Sequence, residues 1–302
     1  MKPGLAVGVL AWAAASVAAL SGAVHGGAIE ILACLAPCVI VPLGLGLIAP
    51  GDPARAFRLL KLGQPFAAPL VAGSFLLPAG PRAAALICPW LILTGLGALS
   101  GTGRVLKTRF VDPAELCFGA ALLFLPVGAA WLFLSRLGVA PMGFREPIVL
   151  LTGVHFHYTG FAAPVLAGMA IRKLAPRSRI LRLASLGLLG GTPLLAAGFV
   201  FSPLLKFVAV LLLSGSLLAL AFIQFSAADR LEDGLGRGFL LFSALGIFMG
   251  MSLAGIYGTG EFLGRSWIRI PEMAMSHGVL NGFLFSLCGL LGWTRLQGRS
   301  AA

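Results

Sequence analysis

The fold is decided by long apolar runs, of which a clear example is Pro203-Leu-Leu-Lys-Phe-Val-Ala-Val-Leu-Leu-Leu-Ser-Gly-Ser-Leu-Leu-Ala-Leu-Ala-Phe-Ile-Gln-Phe225. The run carries one charge, on Lys206, and as a helix rising about 1.5 Å per residue it is long enough to cross a hydrocarbon core of about 30 Å. Of the 302 residues, 59% are hydrophobic and 11% are charged, whereas soluble domains average about 45–50% apolar and about 25% charged residues. A soluble fold could not bury so much apolar surface, so we predict an integral membrane protein.

Similar runs along the chain predict an all-α fold, a polytopic transmembrane helical bundle. A membrane barrel needs alternating apolar and polar residues over segments of about 10 residues, which continuous runs such as Leu122–Leu125 contradict. We predict about ten spans: Leu5–Val24, Ala28–Ile48, Pro65–Pro78, Arg82–Ser100, Ala114–Ser135, Pro147–Ile171, Ile180–Phe201, Pro203–Phe225, Gly238–Tyr257 and Glu272–Trp293. The third is short and is expected to be tilted, re-entrant or interfacial. Because the connections are too short to bury a core, residues 1–302 are expected to form a single membrane domain.

The distribution of basic residues predicts the topology. Sixteen of the 22 Lys and Arg residues fall on one side of the ten predicted spans and six fall on the other. Cytoplasmic segments of membrane proteins carry the excess of Lys and Arg, so both termini are expected in the cytoplasm. Lys2 before the first apolar run is typical of a signal peptide, but the small-residue cleavage pattern is poor, which favours a retained helix.

The net charge of +12 is explained by these loops and by lipid headgroups, so no nucleic-acid partner is expected.

The five cysteines lie in apolar segments without a Cys-x-x-Cys pair, which is typical of buried thiols. Glycines such as the Gly246 and Gly250 pair suit close helix packing.

Acids and histidines are costly in hydrocarbon, and their positions are therefore informative. With the predicted topology, all four histidines (His25, His155, His157 and His277) map to the outer half of the membrane, as do Glu30 and Glu272. For His25 alone, a position in a short outer loop is the simpler interpretation. This one-sided distribution predicts a polar site in the outer half of the bundle.

The sixth span contains Thr152-Gly-Val-His155-Phe-His157-Tyr158-Thr-Gly160-Phe161. His155 follows Pro147 by eight residues, roughly 12 Å along a regular helix. On such a helix His155 and His157 differ by about 200°, so both can reach one ligand only if the helix unwinds beside Gly153 or Gly160.

The tenth span supplies Glu272-Met-Ala-Met-Ser276-His277-Gly278-Val-Leu-Asn281-Gly282. His277 and Asn281 share a helix face because they are four residues apart, and Glu272 lies about one turn toward the outer surface. We expect His155 and His277 to belong to one functional unit.

These residues favour acid/base chemistry, since neutral histidine and ionised glutamate can exchange a proton. The alternative is that they only satisfy each other's hydrogen bonds across packed helices. A metal or haem site lacks support, because there is no His-Glu-x-x-His or Cys-x-x-Cys sequence, and neither a metal nor another cofactor is expected. Conventional nucleophile and phosphate-binding motifs are absent as well.

Three patches of the sequence resemble the YndJ-like family of bacterial membrane proteins. They are Glu30 with Leu35-Ala-Pro37 and Val41-Pro42-Leu43, then His155-Phe-His157-Tyr158-Thr-Gly160-Phe161, and Met275-Ser-His277-Gly278-Val-Leu-Asn281-Gly282-Phe283. The resemblance implies a multipass protein of a bacterial cytoplasmic (inner) membrane, in a family that carries transporter-type labels and includes longer relatives. It assigns no catalytic residue, so the roles below come from residue chemistry.

The leading hypothesis is a membrane-embedded enzyme that uses proton transfer on a lipophilic small molecule, as an isomerase, a cyclase or an epoxide-opening enzyme. Glu30 or Glu272 would be the acid and His155 or His277 the proton shuttle, while His157, Tyr158 and Asn281 would orient the substrate. Thr152 and Ser276 are further candidates for substrate binding. The alternatives are a proton-coupled secondary transporter and a noncatalytic assembly or sensory subunit. The lipid bilayer is the expected partner, and the sequence leaves the oligomeric state open.

Overall fold

The computed structural model describes residues 3–22, 27–48, 54–174 and 176–299. The protein is 87% helical, and no strand occurs in these ranges. Ten long helices follow one another in this part of the chain: α1 (Pro3–Leu20), α2 (Ala28–Ile48), α3 (Arg55–Ser74), α4 (Pro81–Lys107), α5 (Pro113–Leu137), α6 (Ile148–Lys173), α7 (Arg179–Phe201), α8 (Pro203–Arg230), α9 (Gly234–Phe262) and α10 (Ile270–Gly298). A short 3-10 turn, Pro141–Gly143, precedes α6. His25, one of the four histidines, lies outside the described residues.

Nine of the helices in the described ranges are long and apolar enough to cross a membrane, all of them except α3. The predicted third span, Pro65–Pro78, covers only the apolar half of α3, which already begins at Arg55. The first turns of α3 carry exposed basic residues, but the buried Phe57 and Leu60 on the opposite face hold this half against the protein. The helix is therefore amphipathic at one end and apolar at the other.

The described helices form two compact units, residues 1–110 with 118–162 and residues 111–117 with 163–302. In the first unit α1 packs against α2 and α3, and α3 packs along α4. Small residues bring these helices close together: a Cβ on Gly8 of α1 would lie 2.1 Å from the carbonyl oxygen of Cys38 in α2. The Gln64 amide of α3 donates to the carbonyl of Pro37 over 2.9 Å. These contacts fix α2 in the interior of the unit, where 83% of its apolar stretch is buried.

In the second unit α7, α8, α9 and α10 pack in sequence, each against the next. Helix α7 also contacts the end of α6. Ser202 is extended and separates α7 from α8, and its side chain caps α8 by accepting from the Leu205 N–H. Gly246 and Gly250 of α9 face α10, where an added Cβ would lie 2.6 Å from the Leu284 Cβ and from the Asn281 Nδ2 respectively. The glycine pair therefore provides the close helix packing that its spacing predicts.

Candidate functional site

Three of the long helices contain π-helical turns, in which the hydrogen bonds span five residues and one turn is widened. They lie at Ala36–Ile40 in α2, at Phe156–Ala162 in α6, and at Ala274–Gly278 and Leu280–Cys288 in α10. These segments overlap the three sequence patches described above: the patch with Leu35-Ala-Pro37, the patch with His155 and His157, and the patch with His277. Turns of this type are rare and occur frequently at functional sites.

Groups that weaken regular α-helical hydrogen bonding occur in or beside these segments. Proline has no N–H, so Pro37 and Pro164 cannot donate to the carbonyls four residues before them, Ala33 and Gly160. In α10 side chains replace backbone donors: the Asn281 amide donates to the His277 carbonyl over 2.7 Å, and the Ser276 hydroxyl donates to the Glu272 carbonyl over 2.7 Å. Of the two positions considered for unwinding in the sixth span, Gly160 lies in the π turn Phe156–Ala162, whereas Gly153 lies in regular α-helix.

His157 is fully buried, and both of its ring nitrogens are hydrogen-bonded. The indole N–H of Trp90 in α4 donates to Nε2 over 3.2 Å, and Nδ1 lies 2.7 Å from the carbonyl oxygen of Gly153. An indole only donates and a carbonyl only accepts, so the ring is the neutral form with its proton on Nδ1. Gly128 of α5 leaves room for the ring, since a Cβ there would lie 2.6 Å from Nδ1. These contacts fix His157 in one tautomer.

The other predicted residues of the sixth span also make local contacts. The buried Tyr158 hydroxyl donates to the Leu32 carbonyl of α2 over 3.0 Å, which ties α6 to α2. The Thr152 hydroxyl donates to the Ile148 carbonyl over 2.8 Å. His155 is partly buried at the last residue before the π turn.

Glu30 belongs to the same unit and caps the start of α2. Its Oε2 accepts from the Gly27 N–H over 2.7 Å, as an acid in the first turn of a helix commonly does. Arg136 at the end of α5 lies within electrostatic range of Glu30 and Glu146. Its guanidinium also donates to the carbonyls of Ser74 and Leu77.

His277 lies in the second unit and differs from His157 in one respect. Its Nδ1 lies 2.8 Å from the carbonyl oxygen of Gly250 in α9, so this nitrogen carries a proton and donates it. Nothing among the residues that the structure describes hydrogen-bonds its Nε2, and the ring is only partly buried. The neutral ring therefore presents a lone pair on Nε2 and can accept a proton there.

Asn281 lies one turn after His277 and, like it, contacts Gly250. The amide nitrogen is engaged by the His277 carbonyl, and the side chain is partly buried. Ser276 directly precedes His277, and Glu272 lies about one turn before it. Both are exposed, and Glu272 forms an ion pair with Arg269. The structure thus brings His277 and Asn281 together and places Glu272 at the exposed end of α10, engaged by another partner.

The predicted site residues divide between the two compact units. Glu30, Thr152, His155, His157 and Tyr158 belong to the first, and Glu272, Ser276, His277 and Asn281 belong to the second. A shared function of His155 and His277 stays a prediction. The described residues contain no group of three or more His, Cys, Asp or Glu side chains suited to hold a metal ion.

Sequence reasoning missed the partners of both histidines. Trp90 lies in an apolar span, and its need for a hydrogen-bond acceptor is the signal that points to a buried polar partner. Gly250 contributes a backbone carbonyl. Its spacing from Gly246 predicts close helix packing but does not predict this hydrogen bond. An ion pair between Lys206 and Glu261 in the second unit was also not predicted.

Comparison with known proteins agrees with the membrane architecture. A family profile described as YndJ-like protein matches residues 31–285. The chain is 27% identical over 266 residues to a Bacillus subtilis protein described as "Uncharacterized membrane protein YndJ". The match covers 87% of this chain and 48% of that protein, so the chain spans about half the length of this relative. No solved structure matches the chain.

The matched region contains most of the three sequence patches. It includes the patch with His155 and His157, the patch with His277, and the π turns Phe156–Ala162 and Ala274–Gly278. The nine apolar helices and the membrane relative together identify a multipass membrane protein, which lies in a lipid bilayer. The extent of the profile match shows that the chain belongs to the YndJ-like protein family.

Proposed function

We propose that the chain is a membrane-embedded acid/base enzyme of the bacterial cytoplasmic membrane, with His277 as the group that accepts and returns a proton. The substrate class is a lipophilic small molecule that reaches the helix bundle from the bilayer. The observation that carries the proposal is the contrast between the surroundings of His157 and His277. His277 is anchored through Nδ1 and leaves Nε2 available, whereas both nitrogens of His157 are engaged.

The anchoring of His277 supports a catalytic role because a base must be held in one orientation. A hydrogen bond from Nδ1 to a backbone carbonyl fixes the tautomer and directs the Nε2 lone pair, as in many catalytic histidines. Asn281 lies one turn after His277 and contacts its backbone carbonyl, and the second N–H of the side-chain amide can orient a substrate oxygen. His157 and Tyr158 fix the path of the first part of α6 within the first unit.

The acids are already engaged by other groups, which favours a reaction with a single base. Glu30 accepts from the Gly27 N–H and Glu272 pairs with Arg269. In a proton-transfer isomerisation, Nε2 of His277 removes a proton from one carbon, and the protonated ring, whose proton exchanges with water, returns a proton to another carbon of the same molecule. The proton balance closes without a second reactant. Cyclisation and epoxide opening begin with protonation by an acid, and both candidate acids are engaged, so isomerisation fits better.

Deuterium incorporation provides a direct test. Membranes that contain the protein would be incubated in D₂O with lipid extract from cells lacking the gene, and the lipids would be analysed by mass spectrometry. We expect one lipid species to gain carbon-bound deuterium and a product to accumulate, and a His277→Asn variant to show neither. Deuterium gain that persists in this variant would reject His277 as the base.

A proton-coupled transporter is the second candidate, and the π-interrupted helices favour it. Transporter sites are commonly built on discontinuous helices, and α6 and α10 are both interrupted at their histidines. Proteoliposomes with an imposed pH gradient would separate the two candidates. Solute uptake that depends on the gradient, with unchanged lipids, would favour transport over isomerisation.

A further inference from the structure

The second unit contains an open cleft between the start of α8 and the end of α9. It has a volume of about 180 Å³ and is lined by Lys206, Phe207, Val210, Gly258, Glu261 and Phe262. Lys206 Nζ and Glu261 Oε1 form an ion pair of 2.6 Å in the cleft. Below this pair the walls are apolar, and the rings of Phe207 and Phe262 stack with their centroids 4.6 Å apart.

Lys206 is held in place by its backbone and its side chain. Helix α7 approaches so closely that a Cβ on Gly198 would lie 2.4 Å from the Cα of Lys206. The ammonium group also lies over the ring of Phe199, 4.7 Å from its centroid. An ammonium has three N–H donors, and the Glu261 carboxylate occupies one of them. Two donors therefore remain for a ligand.

The depth of the cleft is that of the membrane–water interface. Lys206 lies in the first turn of α8, and Glu261 lies in the last turn of α9. Trp267 follows shortly after α9, is half exposed, and packs on Gly260, where a Cβ would lie 3.1 Å from the indole ring. Tryptophan is enriched at the headgroup level of membrane proteins. The charged part of the cleft therefore faces lipid headgroups, and its apolar part faces the upper ends of acyl chains.

We propose that this cleft binds a zwitterionic phospholipid whose headgroup ends in a primary amine. The lipid phosphate would bind the Lys206 ammonium, and the lipid ammonium would bind the Glu261 carboxylate. Phe207, Phe262 and Val210 would contact the glycerol and the first acyl carbons. This site is separate from the chemistry proposed for His277 and does not depend on it.

The paired charges select this headgroup over the two other common types. A quaternary ammonium has no N–H, so it cannot donate a hydrogen bond to Glu261. A headgroup with net negative charge is attracted by Lys206 but repelled by Glu261. Charge-assisted hydrogen bonds from both ends of the headgroup are formed only by the primary amine lipid.

Native mass spectrometry of the purified full chain tests the proposal with three lipids that share dioleoyl chains: phosphatidylethanolamine, phosphatidylcholine and phosphatidylglycerol. We expect phosphatidylethanolamine to bind about tenfold more tightly than phosphatidylcholine, as for one charge-assisted hydrogen bond. Glu261→Gln should abolish that preference, and Lys206→Gln should weaken the binding of all three lipids. Arg230→Gln, an exposed site at the opposite end of α8, is the control and should bind like the wild type.

A second series needs no variant and avoids any loss of folding. The wild-type chain would be titrated with dioleoyl phosphatidylethanolamine carrying zero, one, two or three N-methyl groups. We expect binding to weaken most at the third methyl, where the last N–H is lost. Equal affinity across the series, tighter binding of phosphatidylglycerol, or a preference that survives Glu261→Gln would overturn the proposal.

Discussion

The Nδ1 atom of His277 lies 2.8 Å from the carbonyl oxygen of Gly250, a residue of the neighbouring helix α9. This one hydrogen bond sets both the orientation of the imidazole and the position of its proton. It also joins a π turn of α10 to the face of α9 that carries the closely packed glycines. Replacing His277 is therefore expected to affect the proton-dependent step, whereas replacing Gly250 is expected to affect the packing of α9 against α10.

Replacing His277 by Asn tests the base while keeping the anchor. The Asn amide nitrogen can occupy the position of Nδ1 and donate to the Gly250 carbonyl, but nothing replaces Nε2. We expect the rate of the proton-dependent step to fall at least about a hundredfold with little change in melting temperature. His157→Gln is the comparison, because it disturbs the contacts with Trp90 and Gly153 and should lower the yield of folded protein. Near-normal activity of His277→Asn would remove this residue from the mechanism.

Gly250→Ala tests the contact between α9 and α10. The added methyl would lie 2.6 Å from the Asn281 amide nitrogen, so the Asn281 side chain must shift and its hydrogen bond to the His277 carbonyl is disturbed, at a cost of about 1–3 kcal/mol in the free energy of unfolding. Gly255→Ala in the same helix is the matched control, since its Cβ would have no heavy atom within 4 Å. That substitution should be neutral or stabilise by up to about 1 kcal/mol. Unfolding in detergent measures both, and equal effects would contradict the packing.

Trp90→Phe tests whether His157 has a structural role. The variant leaves the buried Nε2 without its donor, so we expect a loss of about 1–3 kcal/mol in the free energy of unfolding. Trp131→Phe is the control, because the Trp131 ring packs against Phe144 and its N–H has no hydrogen-bond partner in the described part of the chain. Similar destabilisation by the two substitutions would show that loss of ring volume, rather than the hydrogen bond, is responsible.

The positions of the termini test whether α3 crosses the membrane. The distribution of Lys and Arg predicts that both termini lie in the cytoplasm, which requires an even number of crossings. The other nine helices make an odd number, so cytoplasmic termini require the whole of α3, 20 residues long, to supply the tenth crossing. Reporter fusions at each terminus should both give cytoplasmic signals. Signals from opposite sides would mean that α3 lies at the membrane surface.

Hydropathy predicts the helical membrane fold well because each span is a local property of the sequence. The run from Pro203 to Phe225 specifies α8 without reference to other residues. Helix α3 begins ten residues before the predicted span, and Phe57 and Leu60 in its basic first turns are buried against the rest of the unit. Contacts of this kind join residues far apart in the chain, so they cannot be predicted from local composition.

The candidate site is predicted less completely, because its hydrogen bonds join residues far apart in the chain. The Trp90–His157 bond links positions separated by 67 residues, and the bond to Gly250 uses a backbone carbonyl that any residue could provide. The sequence identifies His157 and His277 equally as polar residues in apolar spans. Only their surroundings show that one ring is fully engaged and that the other has an available nitrogen.

The π turns also affect how the sequence is compared with that of longer relatives. A π turn is equivalent to one residue inserted into an α-helix, and each such insertion rotates all later residues by about 100° around the helix axis. In α10, a helical wheel drawn from Glu272 to Trp293 therefore assigns residues after the π turns to the wrong face. A relative that lacks one residue within Leu280–Cys288 would have a regular helix there. A single-residue gap in an alignment at this segment then indicates that one protein has the π turn and the other a regular helix. The helical wheel should be drawn separately for the residues before and after the gap.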